Sequence, residues 1–302
     1  VNQVNLSGAV LSFTAAVLSC HADGDVPSQS DGANLDTSVV YRMAEPDSGA
    51  DAKAPTAPAS DDATTLAKKL SNPVANLISV PFQLNYDKGF GPNDANKFTL
   101  NIQPVIPVSI SDDWNIIFRT ILPVIYQDAP APGMGDKFGL GDTTASQFFS
   151  PKEPGPWGLI WGVGPVEYIP TATDSQLGQG QLGLGPTAVV LKQDHGWTYG
   201  ILANHIWRVA GSHGDPNVNA SYMQPFVAYT WPTATTLTLN TESTYDWTAK
   251  QWTTPLNLML SQVFKIGEQP VSFQIGGRYY AESPAQGPTW GLRFNLTFLF
   301  PR

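Results

Sequence analysis

Charge is scarce in this chain: Asp, Glu, Lys and Arg make up 14% of its 302 residues. Soluble globular domains usually carry about 25%, so a solvated charged surface is not what covers this fold. Long apolar runs are missing too. No stretch reaches the roughly 18 apolar residues that a membrane-spanning helix requires, which argues against a helical membrane protein. Cys20 is the only cysteine, so there is no intramolecular disulfide framework and no thiolate metal cluster. Basic residues are outnumbered, and the net charge of −9 argues against nucleic acid as a partner. Low charge without a spanning helix leaves one main solution. Lipid tolerates only helices and closed barrels, because every backbone N–H and C=O must be paired within the protein.

Three regions follow one another along the chain. Residues 1–22 contain no Lys, Arg, Asp or Glu, and the apolar core from Leu6 to Leu18 reads as the h-region of a secretory signal peptide, with cleavage after Ala22. Val17-Leu18-Ser19-Cys20 loosely resembles a lipobox, the alternative reading of the same segment. Residues 23–62 are rich in Asp, Ala, Ser, Pro and Gly. Their nine acidic residues against Arg42 and Lys53 leave a net charge of −7. Such a stretch buries too little apolar surface to offset its ordering entropy, so an acidic disordered linker is expected. Within 63–76 a short periplasmic helix is expected. Asp61 or Asp62 can cap it, Leu66 and Leu70 share a face, and Asn72-Pro73 ends it.

From residue 77 onward the pattern has period two. In the last strand Trp290, Leu292, Phe294, Leu296, Phe298 and Phe300 point one way, while Arg293, Asn295 and Thr297 point the other. Twelve such runs are expected, near 77–87, 97–110, 114–127, 138–150, 158–169, 182–193, 197–209, 218–230, 235–246, 251–264, 270–281 and 289–300. Each suits a tilted crossing of about 25–30 Å of hydrocarbon. The fourth, fifth, sixth and eighth alternate less cleanly. The fold class is therefore all-β: a transmembrane, antiparallel, up-and-down β-barrel of twelve strands, occupying 77–302. Ser111-Asp112-Asp113, Asp194-His195-Gly196 and Pro232-Thr233-Ala234 read as tight periplasmic turns, and the alternate connections as longer outer loops. Eight of the nine tryptophans fall near strand ends, where indole rings meet the lipid–water interface. Trp161 is expected inside a strand.

Candidate functional residues lie on the polar parity of the strands: Arg119, Arg278, Arg293, Glu242, Asn101, Gln103 and Asn295. An arginine facing lipid at the midplane would cost about 2–4 kcal/mol, so these side chains are expected to line the lumen. Two roles compete. They form a charged constriction that selects permeants, or Arg and Glu pair across the lumen and fill a narrow barrel. Other motifs carry less. Gly178-x-Gly180-x-x-Gly183 has dinucleotide-fingerprint spacing, but Leu182–Gln193 reads as a strand where that motif needs a helix. His205, His213 and Asp215 lack a metal-ligand spacing. Asp87, Asn93 and Asp94, in the first outer loop, supply oxygens without the spacing of a calcium loop. Asn204-His205 offers two parts of a serine hydrolase, yet there is no Gly-x-Ser-x-Gly elbow and no serine assigned to His205. No metal, cofactor or catalytic residue is therefore expected.

The strand sequences resemble a known family. The stretches SNPVANLISVPFQLNYD, NIQPVIPVSISDDWN, RTILPVIYQD, GLGDTTASQFFSP, PTAVVLKQ, TLNTESTYDW and WGLRFNLTFLFP are similar to the outer-membrane "transporter" family of the MetA-pathway of phenol degradation, over residues 63–302. The resemblance implies a porin-like outer-membrane barrel of a Gram-negative bacterium that moves small hydrophobic or aromatic compounds. It supplies no catalytic residues. Phe300 is followed by Pro301-Arg302, a departure from barrels that end on Phe, but the aromatic alternation before it is intact. Insertion by the barrel-assembly machinery is expected. Outer-membrane lipid and a small-molecule solute are the expected partners, and association into oligomers is left open. The alternatives are a plugged barrel that anchors a periplasmic partner through the acidic segment and, behind it, an outer-membrane hydrolase. For hydrophobic solutes, Pro104, Pro107 and Pro123 mark the wall where a lateral gap is expected, since each removes a ladder donor.

Overall fold

The computed structural model describes residues 63–211 and 217–301. The expected signal peptide, the acidic linker, His213 and Asp215 lie outside these residues.

The chain enters with helix α1, Ala63–Leu70. Twelve antiparallel crossings follow. They are β1 (Ile78–Phe90), β2 (Ala95–Ile102, continued as Val105–Ser109), β3 (Trp114–Gln127), β4 (Lys137–Leu140, continued as Thr143–Pro151), β5 (Leu159–Ile169) and β6 (Gln181–Asp194). Then come β7 (Trp197–Gly211), β8 (Asn219–Thr230), β9 (Thr235–Thr241, continued as Ser243–Asp246), β10 (Gln251–Ile266), β11 (Gln269–Glu282) and β12 (Trp290–Phe300). Each pairs with its sequence neighbours, and β12 closes on β1 from Phe300 opposite Ile78 to Trp290 opposite Lys88. Closure leaves no unpaired sheet edge, the condition lipid imposes. All twelve crossings fall where the period-two reading puts them.

Prolines explain where crossings are interrupted. β2 lapses at Pro104, Gly141 beside the β4 break donates to the Pro123 carbonyl at 2.9 Å, and Glu242 at the β9 break faces Pro255. Without an N–H, proline cannot complete the ladder. The expected lateral gap at Pro104, Pro107 and Pro123 is not there. Gln103 donates to Pro81 at 2.9 Å and Thr120 donates to Pro104 at 3.2 Å, so the wall stays hydrogen-bonded across the lapse.

The outer wall is apolar along its length. On β10, Leu256, Leu258 and Leu260 face outward, Leu258 with 55% of its surface exposed, while Asn257 and Met259 face inward and are buried. Two aromatic belts bound this wall. At the end with short turns, Trp114 meets Trp161 at 5.8 Å, and Tyr229 lies between Trp197 at 4.9 Å and Trp231 at 5.1 Å. At the opposite end, Tyr86 meets Trp290 at 5.7 Å, and Tyr245 meets Trp247 and Trp252 at 4.9 Å each. Such rings suit an interface with lipid below and water above. Trp161 corrects the expectation: as the third residue of β5 it belongs to the belt rather than the strand's middle.

The short-turn end is drawn tight by β6 and β7. His195 and Gly196 both take positive φ, 46° and 89°, as a two-residue primed turn demands. At the other end the first connection is only 91–94, because β1 runs on to Phe90 and β2 begins at Ala95. Asp87 is therefore a strand residue and not a loop residue. Its carboxylate turns inward, Asp94 pairs with Lys88 at 2.8 Å and Asn93 bonds Ala129 at 3.1 Å, so the three do not converge on a cation.

Candidate functional site

The lumen has two zones. At the short-turn end α1 lies inside the barrel. Leu66 and Ala67 pack on Leu77, Ala234, Val263 and Leu299, inward-facing residues of one wall. After the helix, Val74 reaches the opposite wall and packs on Ile117, Phe148, Val189, Leu191 and Leu202. Two hydrogen bonds fix the helix to the turns: Thr64 Oγ1 donates to Pro232 O at 2.8 Å, and Gln193 Nε2 donates to Lys68 O at 2.8 Å. Residues 63–77 thus fill this end of the barrel by touching both sides of it.

Above the plug lies a cavity of about 680 Å³ whose floor includes Ala67, Leu70 and Pro73. Asn101, Gln103, Arg119, Glu242, Arg293 and Asn295 all line it, as their strand parity requires. Arg278 is also inward but is held below the cavity surface by its partners. The centre of the site is Glu242. Its two oxygens accept Arg293 Nη1 and Nη2 at 2.7 Å each, a bidentate pair. Arg278 Nη2 lies 3.8 Å from the same carboxylate. Arg293 is on β12 and Glu242 on β9, so the guanidinium crosses the inner faces of β11 and β10. Gly276 on β11, opposite Arg293 in register, gives it a path with no side chain in the way. A Cβ there would stand 2.5 Å from Leu258 O and 2.5 Å from Met259 Cγ. Met259 Sδ flanks the same guanidinium at 3.8 Å.

The other donors are also satisfied. Arg293 Nε bonds Asn85 Oδ1 at 2.7 Å, and Arg293 is 2% exposed. Arg278 bonds Asn257 at 3.1 Å and Asp87 at 3.3 Å, and Tyr280 donates to Asp87 at 2.9 Å. A buried guanidinium with this many acceptors is locked in one rotamer. Arg119 differs. It reaches Gln103 Oε1 at 3.5 Å, and among the described residues no carboxylate pairs with it. On the same cavity wall, Asn295 Oδ1 is buried with no hydrogen-bond partner among the described residues.

Sequence parity brought Arg278, Arg293 and Glu242 to one cluster, and left Arg119, Asn101, Gln103 and Asn295 on the cavity wall beside it. It missed Asp87, Asn85, Asn257 and Tyr280. The available signal was alternation: Asn85 and Asp87 continue the polar face that begins at Ser79 and Gln83. Loops gather over the far mouth. Asn96 Nδ2 donates to Asp128 at 2.6 Å, and Lys137 Nζ to Asp174 at 2.7 Å. Each donor holds its partner's carboxyl below the usual carboxylate range.

No family model matches the chain, and no curated protein matches it in sequence. Among solved structures the fold is similar to an outer-membrane channel from Pseudomonas putida F1, with a TM-score of 0.59 and 14% identity, over 74% of this chain and 96% of that one. Outer membrane phospholipase A from Escherichia coli follows at a TM-score of 0.43 and 8% identity, over 74% of this chain and 98% of that one. The β domain of the Bordetella autotransporter BrkA follows at 0.41 and 11%, over 74% and 100%. At those two scores the likeness carries no argument. Twelve strands closed in a ring, an apolar wall between two aromatic belts and the likeness in fold to a bacterial outer-membrane channel make this chain a transmembrane β-barrel of the Gram-negative outer membrane.

Proposed function

We propose that the barrel is a channel for passive passage of small molecules across the outer membrane, with the short-turn end facing the periplasm. The observation that carries this reading is the polar cavity lined by Arg119, a cation that among the described residues has no carboxylate within ion-pair distance. A paired belt alone would serve as filling. A guanidinium held by a single long hydrogen bond beside an open volume offers a solute something to bind. In this reading Arg293 and Arg278 are scaffold, held by Glu242 and Asp87, and Arg119 sets the preference for anions. The resemblance of the strands to the MetA-pathway family favours aromatic solutes, and an aromatic carboxylate satisfies both features. Residues 63–77 set the open state by occupying the periplasmic mouth.

The test is single-channel conductance of the purified protein in planar bilayers, with reversal potentials under a salt gradient. A stable conductance with anion preference is expected, and the preference falls when Arg119 is replaced by Gln. Anion preference that survives Arg119→Gln defeats the assignment to Arg119. A folded barrel that stays silent even when Leu66→Asp unseats the plug defeats the channel reading.

A further inference from the structure

We propose that the outer wall carries a serine hydrolase site, Ser221–His205–Asn219, that cleaves acyl esters of membrane lipids. The sheet register sets Ser221 on β8 directly opposite His205 on β7. His205 Nδ1 lies 2.7 Å from Ser221 Oγ, and His205 Nε2 lies 3.1 Å from Asn219 Oδ1. Trp247 Nε1 donates to Ser221 Oγ at 2.9 Å. With the Asn219 amide oxygen toward Nε2, these contacts assign the tautomer. The indole N–H goes to Oγ, so the serine hydroxyl must donate to Nδ1. Asn219 Oδ1 can only accept, so it takes the Nε2–H and holds the imidazole in the tautomer whose Nδ1 is a base. A nucleophile, a base and a group that orients the base are the parts acyl transfer needs.

The location selects the substrate. His205 and Ser221 have the parity of Trp207 and Met223, which are exposed on the outer wall. His205 stacks on Trp207 at 4.1 Å within the long-loop aromatic belt, the level at which ester linkages and water meet. A hollow of about 430 Å³ begins one strand repeat from Ser221, lined mostly by apolar surface of Met223, Pro225, Trp252 and two threonines, with Ser243 and the Glu282 carboxylate also on its wall. It opens where β9 is interrupted beside Pro225 and Pro255, and its apolar walls fit an acyl chain. Asn219, at the mouth end of β8, also borders the lumen cavity, so the site sits at the rim; Asn204, the neighbour of His205 in sequence, points into the lumen and has no part in it.

The chemistry balances with water as co-reactant. Ser221 Oγ attacks the ester carbonyl carbon and its proton passes to His205 Nδ1. The carbon–oxygen bond to the lipid alcohol breaks, and the alcohol leaves with that proton. Water then attacks the acyl-serine and gives a proton to Nδ1. The bond from carbon to Oγ breaks, Oγ recovers the proton, and a fatty acid is released. Trp247 Nε1–H, already beside the reacting atom, is the donor placed to bond the oxyanion. Asn219 acts through His205 and is a positioning residue.

The experiment treats the full chain in detergent micelles with a fluorophosphonate probe and maps the adduct by mass spectrometry. It then measures fatty-acid release from dioleoylphosphatidylethanolamine in mixed micelles, with p-nitrophenyl butyrate as a short soluble ester. Label on Ser221 is expected, with release from the phospholipid that falls to background in Ser221→Ala and at least about 100-fold in His205→Ala. Asn219→Asp should keep turnover and move the acid limb of its pH profile upward, a shift that a purely structural role would not produce. Turnover of butyrate alone would overturn the lipid assignment. Wild-type protein that is folded by heat-modified gel mobility yet takes no label on Ser221, or Ser221→Ala that retains wild-type release, would overturn the site.

Discussion

The two zones of the lumen are built by different forces. The short-turn zone is apolar on both sides: Leu66 and Val74 of the entering segment meet Leu299, Val263, Ile117, Phe148 and Leu202. The middle zone is charged, and its members are tied by directed bonds between Arg293, Glu242, Arg278 and Asp87. Burial of apolar area has no fixed direction, so the first zone can slide or part and close again. Bidentate pairing tolerates neither. The barrel thus joins a removable element to a rigid one, and a few changes separate their contributions.

The largest effect should come from the rigid zone. Glu242→Ala leaves Arg293 buried without its counter-charge and removes one of the two carboxylates paired with Arg278. A loss of about 3–5 kcal/mol is expected for breaking such a pair, read as a lowered denaturation midpoint in detergent. If the midpoint holds, water already screens the belt and its rigidity is overstated. Next in size, Leu66→Ala should cost about 2–5 kcal/mol of local packing, but only of the plug. Conductance should rise while the barrel's midpoint stays put. If both change together, the two zones are one cooperative unit. Arg119→Gln should change stability by less than about 0.5 kcal/mol, since it gives up only a long 3.5 Å bond to Gln103, while reducing anion preference in reversal potentials.

The smallest effect concerns the far mouth. Asp174 has its carboxyl depressed by Lys137. Its contribution is complete above the ordinary aspartate value of 3.8 and is lost as pH falls through the lower folded value. Amide protection factors in the loop 170–180, corrected for the intrinsic pH dependence of exchange, should therefore be unchanged from pH 7 to about pH 5 and smaller near pH 3, with the strands unaffected.

The strands were legible because most crossings put lipid on one face and polar groups on the other. Where the plug docks, that contrast vanishes. Phe148 faces Val74 while Phe149 faces outward, and Val189 and Leu191 face inward while Val190 faces outward. Apolar residues on both faces blur the alternation of β4 and β6, and Tyr222 and Phe226 do the same on β8. The period-two reading could not see this, because Val74, which covers those residues, comes from the segment after α1, elsewhere in the chain. The charged site was half legible. Parity turned each arginine inward, but which carboxylate it met depended on a guanidinium crossing two strands over Gly276. The meeting of Ser221 with His205 depended on register across a hairpin, which no spacing motif encodes.

The bond between Arg293 and Glu242 also bears on descent. The two residues are 51 positions apart, and neither can be replaced by a neutral residue without stranding the other's charge in the interior. A lineage that loses one should lose both, or pass through a weakened intermediate. Any side chain at Gly276 would block the path between them, so the three positions should be inherited as a set.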